Sequence, residues 1–182
     1  MAGKSVAAVH LAYAPTRWGR IALAEQDGKL VAASLPGADE RVWHDELVKL
    51  VGKDTQIVEE ETPVLTKAIA WFDRYFSGKN PGAPPPVKLI GTKFQQDVWE
   101  ALLAIPWGKT SNYGRIALAT KHAKAVRAVG QACGANPLAI MVPCHRIIRT
   151  DGDISNYAGG KKLKQELLAL EGIKIEIKEE ES

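Results

Sequence analysis

The chain has 182 residues, 46% of them apolar and 25% charged, with 24 Lys and Arg against 21 Asp and Glu for a net charge of +3. That is the ordinary composition of a soluble globular protein, long enough for a sizeable core in one domain or two small ones. No run reaches the about 18 apolar residues that span a bilayer, and two cysteines with no CxxC and four scattered histidines exclude a disulfide scaffold and a zinc-ligand pattern. Cys133 and Cys144 are therefore expected as free thiols in a reducing compartment. That means a cytoplasmic protein, nucleoid-associated in a bacterium or nuclear in a eukaryote. The start "MAGKSVAAVHLAYA" imitates a short signal peptide only loosely, because His10 interrupts its apolar stretch.

In chain order, "SVAAVHLAYA" and "WGRIALAEQDGKLVAASL" read as strands, the second as two strands around the turn "EQDGK". "ADERVWHDELVKLVG" and "TPVLTKAIAWFDRYFSG" carry apolar residues at helical spacing and end in Gly. These make a small α+β unit with no evident catalytic site. The run "SGKNPGAPPPVKLIG" then breaks the pattern, since three consecutive prolines exclude a helix interior. A boundary is expected there, giving an N-terminal domain over residues 1–86.

Residues 87–172 form the second domain, and it is the basic one: 12 Lys and Arg against 6 Asp and Glu, where residues 1–86 hold 10 against 11. A nucleic-acid partner requires such an excess, though many proteins without one share it. "TKFQQDVWEALLAIPWG" predicts a helix that stops at Pro106. Two short helices follow, from about Tyr113 to Ala119 and from about Ala123 to Cys133, separated by a break of helix-turn-helix length. The apolar run Leu138–Val142 reads as a strand that ends in "PCHR"; after the loop "TDGDISNYAGG", the helix "KKLKQELLALEG" closes at Gly172. The acidic end, residues 173–182, is expected to be a mobile tail.

Cys144 stands where the chain leaves its apolar run, beside His145 and Arg146. A reactive thiol needs a base or a positive environment, yet neighbours in extended chain point to opposite faces. The cysteine either closes a buried strand or serves as a nucleophile through a bend or a water. Glu171 lies in the last turn of its helix, where the macrodipole disfavours a carboxylate by up to about 1 kcal/mol. It is either solvated or held there to orient a histidine. The helix "AKAVRAVGQACG" offers small side chains and Arg127. It is either an internal Ala-rich helix or one that meets DNA closely without reading base edges. Tyr113 and Asn136 flank this unit, and each alone reads as a packing or turn residue.

Together these segments resemble the O6-alkylguanine-DNA alkyltransferase (methylated-DNA–protein-cysteine methyltransferase) family. "VPCHRIIR" is similar to its Pro-Cys-His-Arg signature, "FQQDVWEALLAIPWGKTSNYGRIA" to the helix leading into its helix-turn-helix, "AKAVRAVGQACGANP" to its recognition helix and asparagine hinge, and "NYAGGKKLKQELLALEG" to its closing helix. The similarity runs from about Phe94 to Gly172, and the first domain fits more loosely. The implied fold is α+β: an N-terminal α/β (RNase H-like) domain, then a mostly helical, winged-helix-like domain. The implied activity is irreversible transfer of an alkyl group from O6-alkylguanine, and to a lesser degree O4-alkylthymine, in double-stranded DNA to a cysteine. The base is reached by minor-groove binding and flipping.

Carried over by position, the resemblance implies Cys144 as nucleophile, His145 as base through water, Glu171 orienting it, Asn136 as hinge, and Tyr113 donating toward the base and turning the 3′ phosphate. Arg127 is the implied arginine finger, with Gly114, Gln95, His122 and Thr150 as further DNA contacts. Met141, Val142, Ser155, Tyr157 and Ala158 are the implied pocket. Ala139, Ala158 and Ser155 replace a proline, a serine and a glycine found in some members, which bears on the alkyl size accepted. No cofactor is implied, no structural metal is expected because no cysteine precedes Cys133, and a monomer acting on DNA rather than membrane is expected. A thioether is not exchanged as a disulfide is, so each molecule acts once. The competing readings are a non-catalytic sensor of alkylated bases, a Cys-His hydrolase, and a helix-turn-helix regulator.

Overall fold

A computed structural model describes residues 7–175, so most of the predicted tail lies outside the described residues. The chain forms two compact units, one running to Phe76 and including Pro81–Ile90, the other made of Ser77–Asn80 and the chain from Gly91. The architecture is α+β: a mixed four-stranded sheet with helices, then a helical unit.

In the first unit, strands β1 (Val9–Ala14), β2 (Ile21–Gln26), β3 (Lys29–Ala33) and β4 (Ile57–Glu59) lie in the order β3-β2-β1-β4. β2 is antiparallel to both neighbours, and β4 is parallel to β1. The β2–β3 hairpin closes on Asp27 and Gly28 at φ 54° and 75°, the left-handed pair whose twist matches that of the strands. Helix α1 (Glu40–Val51) starts on Asp39, whose carboxylate accepts from the Arg41 and Val42 amides. Helix α2 (Pro63–Phe76) begins on a proline, suited to a first helical position. Its buried face of Leu65, Ala68, Phe72 and Tyr75 covers β1 and β2.

The prolines of the predicted boundary belong to this unit. Leu30 N donates to Pro86 O and Lys88 N to Leu30 O, both at 2.8 Å, so the segment pairs along the outer edge of β3. That pairing carries the first unit on to Ile90, beyond the expected end at residue 86.

In the second unit, helix α3 (Lys93–Leu103) starts with a reciprocal capping box between Thr92 and Gln95. Its Trp99 is buried and donates from Nε1 to Ala132 O at 2.9 Å, tying α3 to α5 (Val126–Gly134). Helix α4 (Tyr113–Ala119) is capped by Asn112, whose Oδ1 accepts from Arg115 N at 2.9 Å. Helices α4 and α5 pack on each other and on α3. α5 begins at Val126 rather than near Ala123, because 120–125 form the turn, with Lys121 at φ 61° and Ala125 N donating to His122 O at 2.8 Å. The last helix is α6 (Lys161–Leu170).

The run Leu138–Val142 is a tight turn and not the expected strand. Val142 N donates to Leu138 O at 3.0 Å, and Ile140 sits at φ 68° with its side chain buried. A β-branched residue in that region is strained, and burial of Leu138, Ile140, Met141 and Val142 holds it there. The turn delivers the chain to Pro143 and a single 3-10 turn, Cys144–Arg146.

Candidate active site

The 3-10 turn decides how "CHR" is used. It ends the strict alternation of an extended chain, so Cys144 is half-buried while His145 and Arg146 both point inward, with His145 wholly enclosed. His145 Nε2 lies 2.7 Å from Glu171 Oε1. Arg146 grips the same carboxylate with a fork, Nε to Oε2 at 2.8 Å and Nη2 to Oε1 at 3.1 Å, and donates from Nη1 to Ile105 O at 2.6 Å. Gly108 N adds a longer contact to Oε2 at 3.4 Å.

Glu171 is therefore not a solvated charge at the wrong end of a helix. It caps α6, is 4% exposed, and is the shared acceptor of two side chains and a backbone amide. Burial alone would raise its carboxyl, but the bonds and charges of His145 and Arg146 outweigh that and hold it at about 2. An ionised carboxylate only accepts, so His145 Nε2 carries the hydrogen. Burial holds the imidazole below its ordinary value, against the pull of Glu171. The carboxylate orients the ring, and burial disfavours a second proton on it.

Asn136, just after α5, organises the thiol. Its Oδ1 accepts from Leu138 N at 2.9 Å, and its Nδ2 donates to Val142 O at 2.8 Å and lies 3.6 Å from Cys144 Sγ. Burial raises the Cys144 thiol, while the Asn136 contact and the charge of Lys164 act the other way. Lys164, on α6, is 1% exposed, and burial lowers its ammonium to about 8. Cys133, mainly by burial, is pushed up to about 12 and so stays protonated.

Tyr113, the first residue of α4, shares a 3.1 Å hydrogen bond with Ser155 Oγ. Ser155 sits at φ 67° in the loop before α6. The Tyr157 ring meets His145 edge-on at 6.5 Å, and its buried hydroxyl has no hydrogen-bond partner among the described residues. Ala158 is exposed in that loop, whereas Met141 and Val142 are core residues of the tight turn.

Arg115, Lys121, Lys124 and Arg127 are exposed along α4, the turn and α5. Gly114 is half-buried in the first turn of α4, and Thr150 is exposed on a separate turn. His122 is exposed and lies edge-on to Phe94 with ring centroids 5.4 Å apart. Gln95 spends its amide oxygen on the α3 cap, accepting from Thr92 N at 2.9 Å.

Two members of the site escaped the sequence reading, Arg146 and Lys164. The second had a signal: Lys164, Leu167, Leu168 and Glu171 are spaced i, i+3, i+4, i+7, which places both charged residues on the buried face of α6.

Residues 93–173 match the family described as 6-O-methylguanine DNA methyltransferase, DNA binding domain. The second unit is thus a DNA-binding domain of that class. The constitutive methylated-DNA–protein-cysteine methyltransferase of Bacillus subtilis is 38% identical over 161 residues, 88% of this chain and 93% of that protein. That of Haemophilus influenzae is 45% identical over 116 residues, 63% of this chain and 65%, just under two thirds, of its own length. The crystal structure of Mycobacterium tuberculosis OGT in complex with DNA superposes with a TM-score of 0.74 at 33% identity, covering 89% of this chain and 92% of that one. The chain belongs to the methylated-DNA–protein-cysteine methyltransferase family. Among the described residues no helix is long and apolar enough to cross a membrane.

Proposed function

We propose that the protein repairs DNA by moving the alkyl group of O6-alkylguanine onto Cys144 Sγ, once per molecule. The observation that carries this reading is the juxtaposition of Asn136 Nδ2 3.6 Å from that sulfur with a buried His145–Glu171 pair bonded at 2.7 Å on the adjoining residue. A thiol held protonated by burial needs a base, and a neutral imidazole with its Nε2–H committed to a carboxylate is one.

In the proposed step, His145 takes the Cys144 proton through water and Glu171 stabilises the imidazolium. The sulfur attacks the alkyl carbon, a C–S bond forms as the C–O bond breaks, and the electron pair returns to the guanine. Tyr113 donates toward the departing base, which ends with one proton more and one alkyl group fewer. A base inside a duplex is out of reach of such a pocket, so it must be flipped. The exposed cations of the helix-turn-helix hold the phosphates, and Arg127 refills the stack. Ser155, Tyr157 and Ala158 line the pocket, with the Tyr157 hydroxyl available to a polar atom of the base.

Titrating the protein with a duplex carrying labelled O6-methylguanine tests this. Transfer should plateau at one methyl group per protein and leave unmodified guanine. Tight binding with no transfer marks a sensor, and repeated turnover or ester cleavage marks another enzyme class.

A further inference from the structure

Arg146 occupies a position that transfer chemistry does not by itself require. Its guanidinium takes both oxygens of Glu171 and anchors on Ile105 O. We propose that Arg146 is a positioning residue that fixes the charge state of the His145–Glu171 pair, keeping the imidazole neutral and thus able to accept the nucleophile's proton. This rests on the transfer reading above and names what makes the base available.

The argument is one of charge in a desolvated place. A histidine and a carboxylate 2.7 Å apart in the interior, with no other charge nearby, gain by becoming an imidazolium–carboxylate ion pair. An imidazolium has no lone pair to offer. Here the carboxylate already has its counter-ion, two-pronged and permanently charged. A second cation on Glu171 would face Arg146 at close range, so the imidazole keeps only its hydrogen bond.

The groups facing His145 all bear on this balance. Glu171 and Lys164 approach from α6, Arg146 and Cys144 from the 3-10 turn, and Tyr157 from the loop before α6. Burial weighs most against a proton on the ring, Arg146 and Lys164 add to that opposition, and Glu171 favours the proton. Once the sulfur gives up its proton, the nascent thiolate faces an imidazolium whose own partner remains ionised. The S–H bond breaks, the proton moves through water to His145, and no proton is lost to Glu171.

The test is NMR of the full-length, DNA-free protein with labelled histidine, from pH 5 to 9. At pH 7 the His145 ring should be neutral with hydrogen on Nε2, and an imidazolium there overturns the proposal. In Arg146→Met the His145 titration and the acid limb of methyl transfer should both move up by about one pH unit or more, leaving transfer more impaired at pH 6.5 than at pH 8.5. Arg146→Lys keeps the charge without the fork and should shift both by less. A folded Arg146→Met protein whose rate falls equally at every pH shows a structural role only and refutes the proposal. Should that variant not fold, the Arg146→Lys shift and the native titration decide. If the native protein accepts no methyl group, the transfer reading fails, while the His145 titration still judges this inference separately.

Discussion

Asn136 and Cys144 are joined across eight residues by one side chain: the Asn136 amide holds Val142 O at 2.8 Å and reaches the Cys144 sulfur at 3.6 Å. The same side chain accepts from Leu138 N at 2.9 Å. One residue thus pins both ends of the strained turn and touches the atom that the turn delivers. Asn136→Ala should cost about 1–3 kcal/mol, since it leaves a buried carbonyl and amide without partners. It should also slow alkylation of Cys144. Urea unfolding and the rate of iodoacetamide labelling measure the two effects, and a variant of full stability and unchanged rate contradicts the assignment.

Acid should unfold this protein earlier than its composition implies. His145 is held below its ordinary value of 6.5 by burial, so the unfolded chain binds that proton more readily and stability falls as pH drops below about 6.5. Glu171 is held at about 2 against an ordinary 4.5, so its contribution is complete above 4.5 and is lost on the way down to 2. At ~1.4 kcal/mol per pH unit that loss amounts to about 3 kcal/mol. Unfolding free energies at pH 8, 6, 5 and 3.5 should fall in two stages. A flat profile from pH 8 to 3.5 rules out the buried network.

Lys164 should show stability and activity in opposition. An ammonium that burial lowers to about 8 is charged at pH 7 at the expense of the fold, and the protein should gain stability as pH rises from 8 towards 10.5. Lys164→Met fills similar space without the charge and should raise Tm by several degrees. The same change removes a cation that favours the Cys144 thiolate, so alkyl transfer at pH 7 should slow by about tenfold. A lower Tm with an unchanged rate contradicts both halves.

Much of this was legible in the sequence. The turn "EQDGK" announced the hairpin, the apolar spacing gave α1 and α2, Pro106 marked where α3 must stop, and Gly172 marked the close of α6. Periodicity fails where an element is too short to repeat, as with the three residues of β4. It also fails where composition misleads. Leu138–Val142 is apolar because it is buried, and nothing local marks Ile140 for a left-handed turn. Glu171 is bonded to His145 and Arg146 across 26 and 25 positions. The resemblance supplied two of these three residues by position, but the guanidinium fork is visible only in three dimensions. Glu171 posed the right question as a carboxylate against its helix dipole, and Arg146 with His145 is the answer.

Arg127 is exposed on α5, and its proposed part is played only in a duplex. Arg127→Ala should reduce transfer from a paired O6-methylguanine by tenfold or more while leaving reaction with the free base within about twofold, because only the duplex needs its stack refilled. Single-turnover rates on the two substrates separate the cases. Equal losses on both refute the role.

The most direct measurement is the mass of the protein after exposure to a duplex containing O6-methylguanine, followed by mapping of the modified peptide. The account predicts a gain of one methylene on the peptide carrying Cys144, none in Cys144→Ala, and DNA binding retained by that variant. A methyl group found on Cys133, or transfer that persists without Cys144, would contradict it.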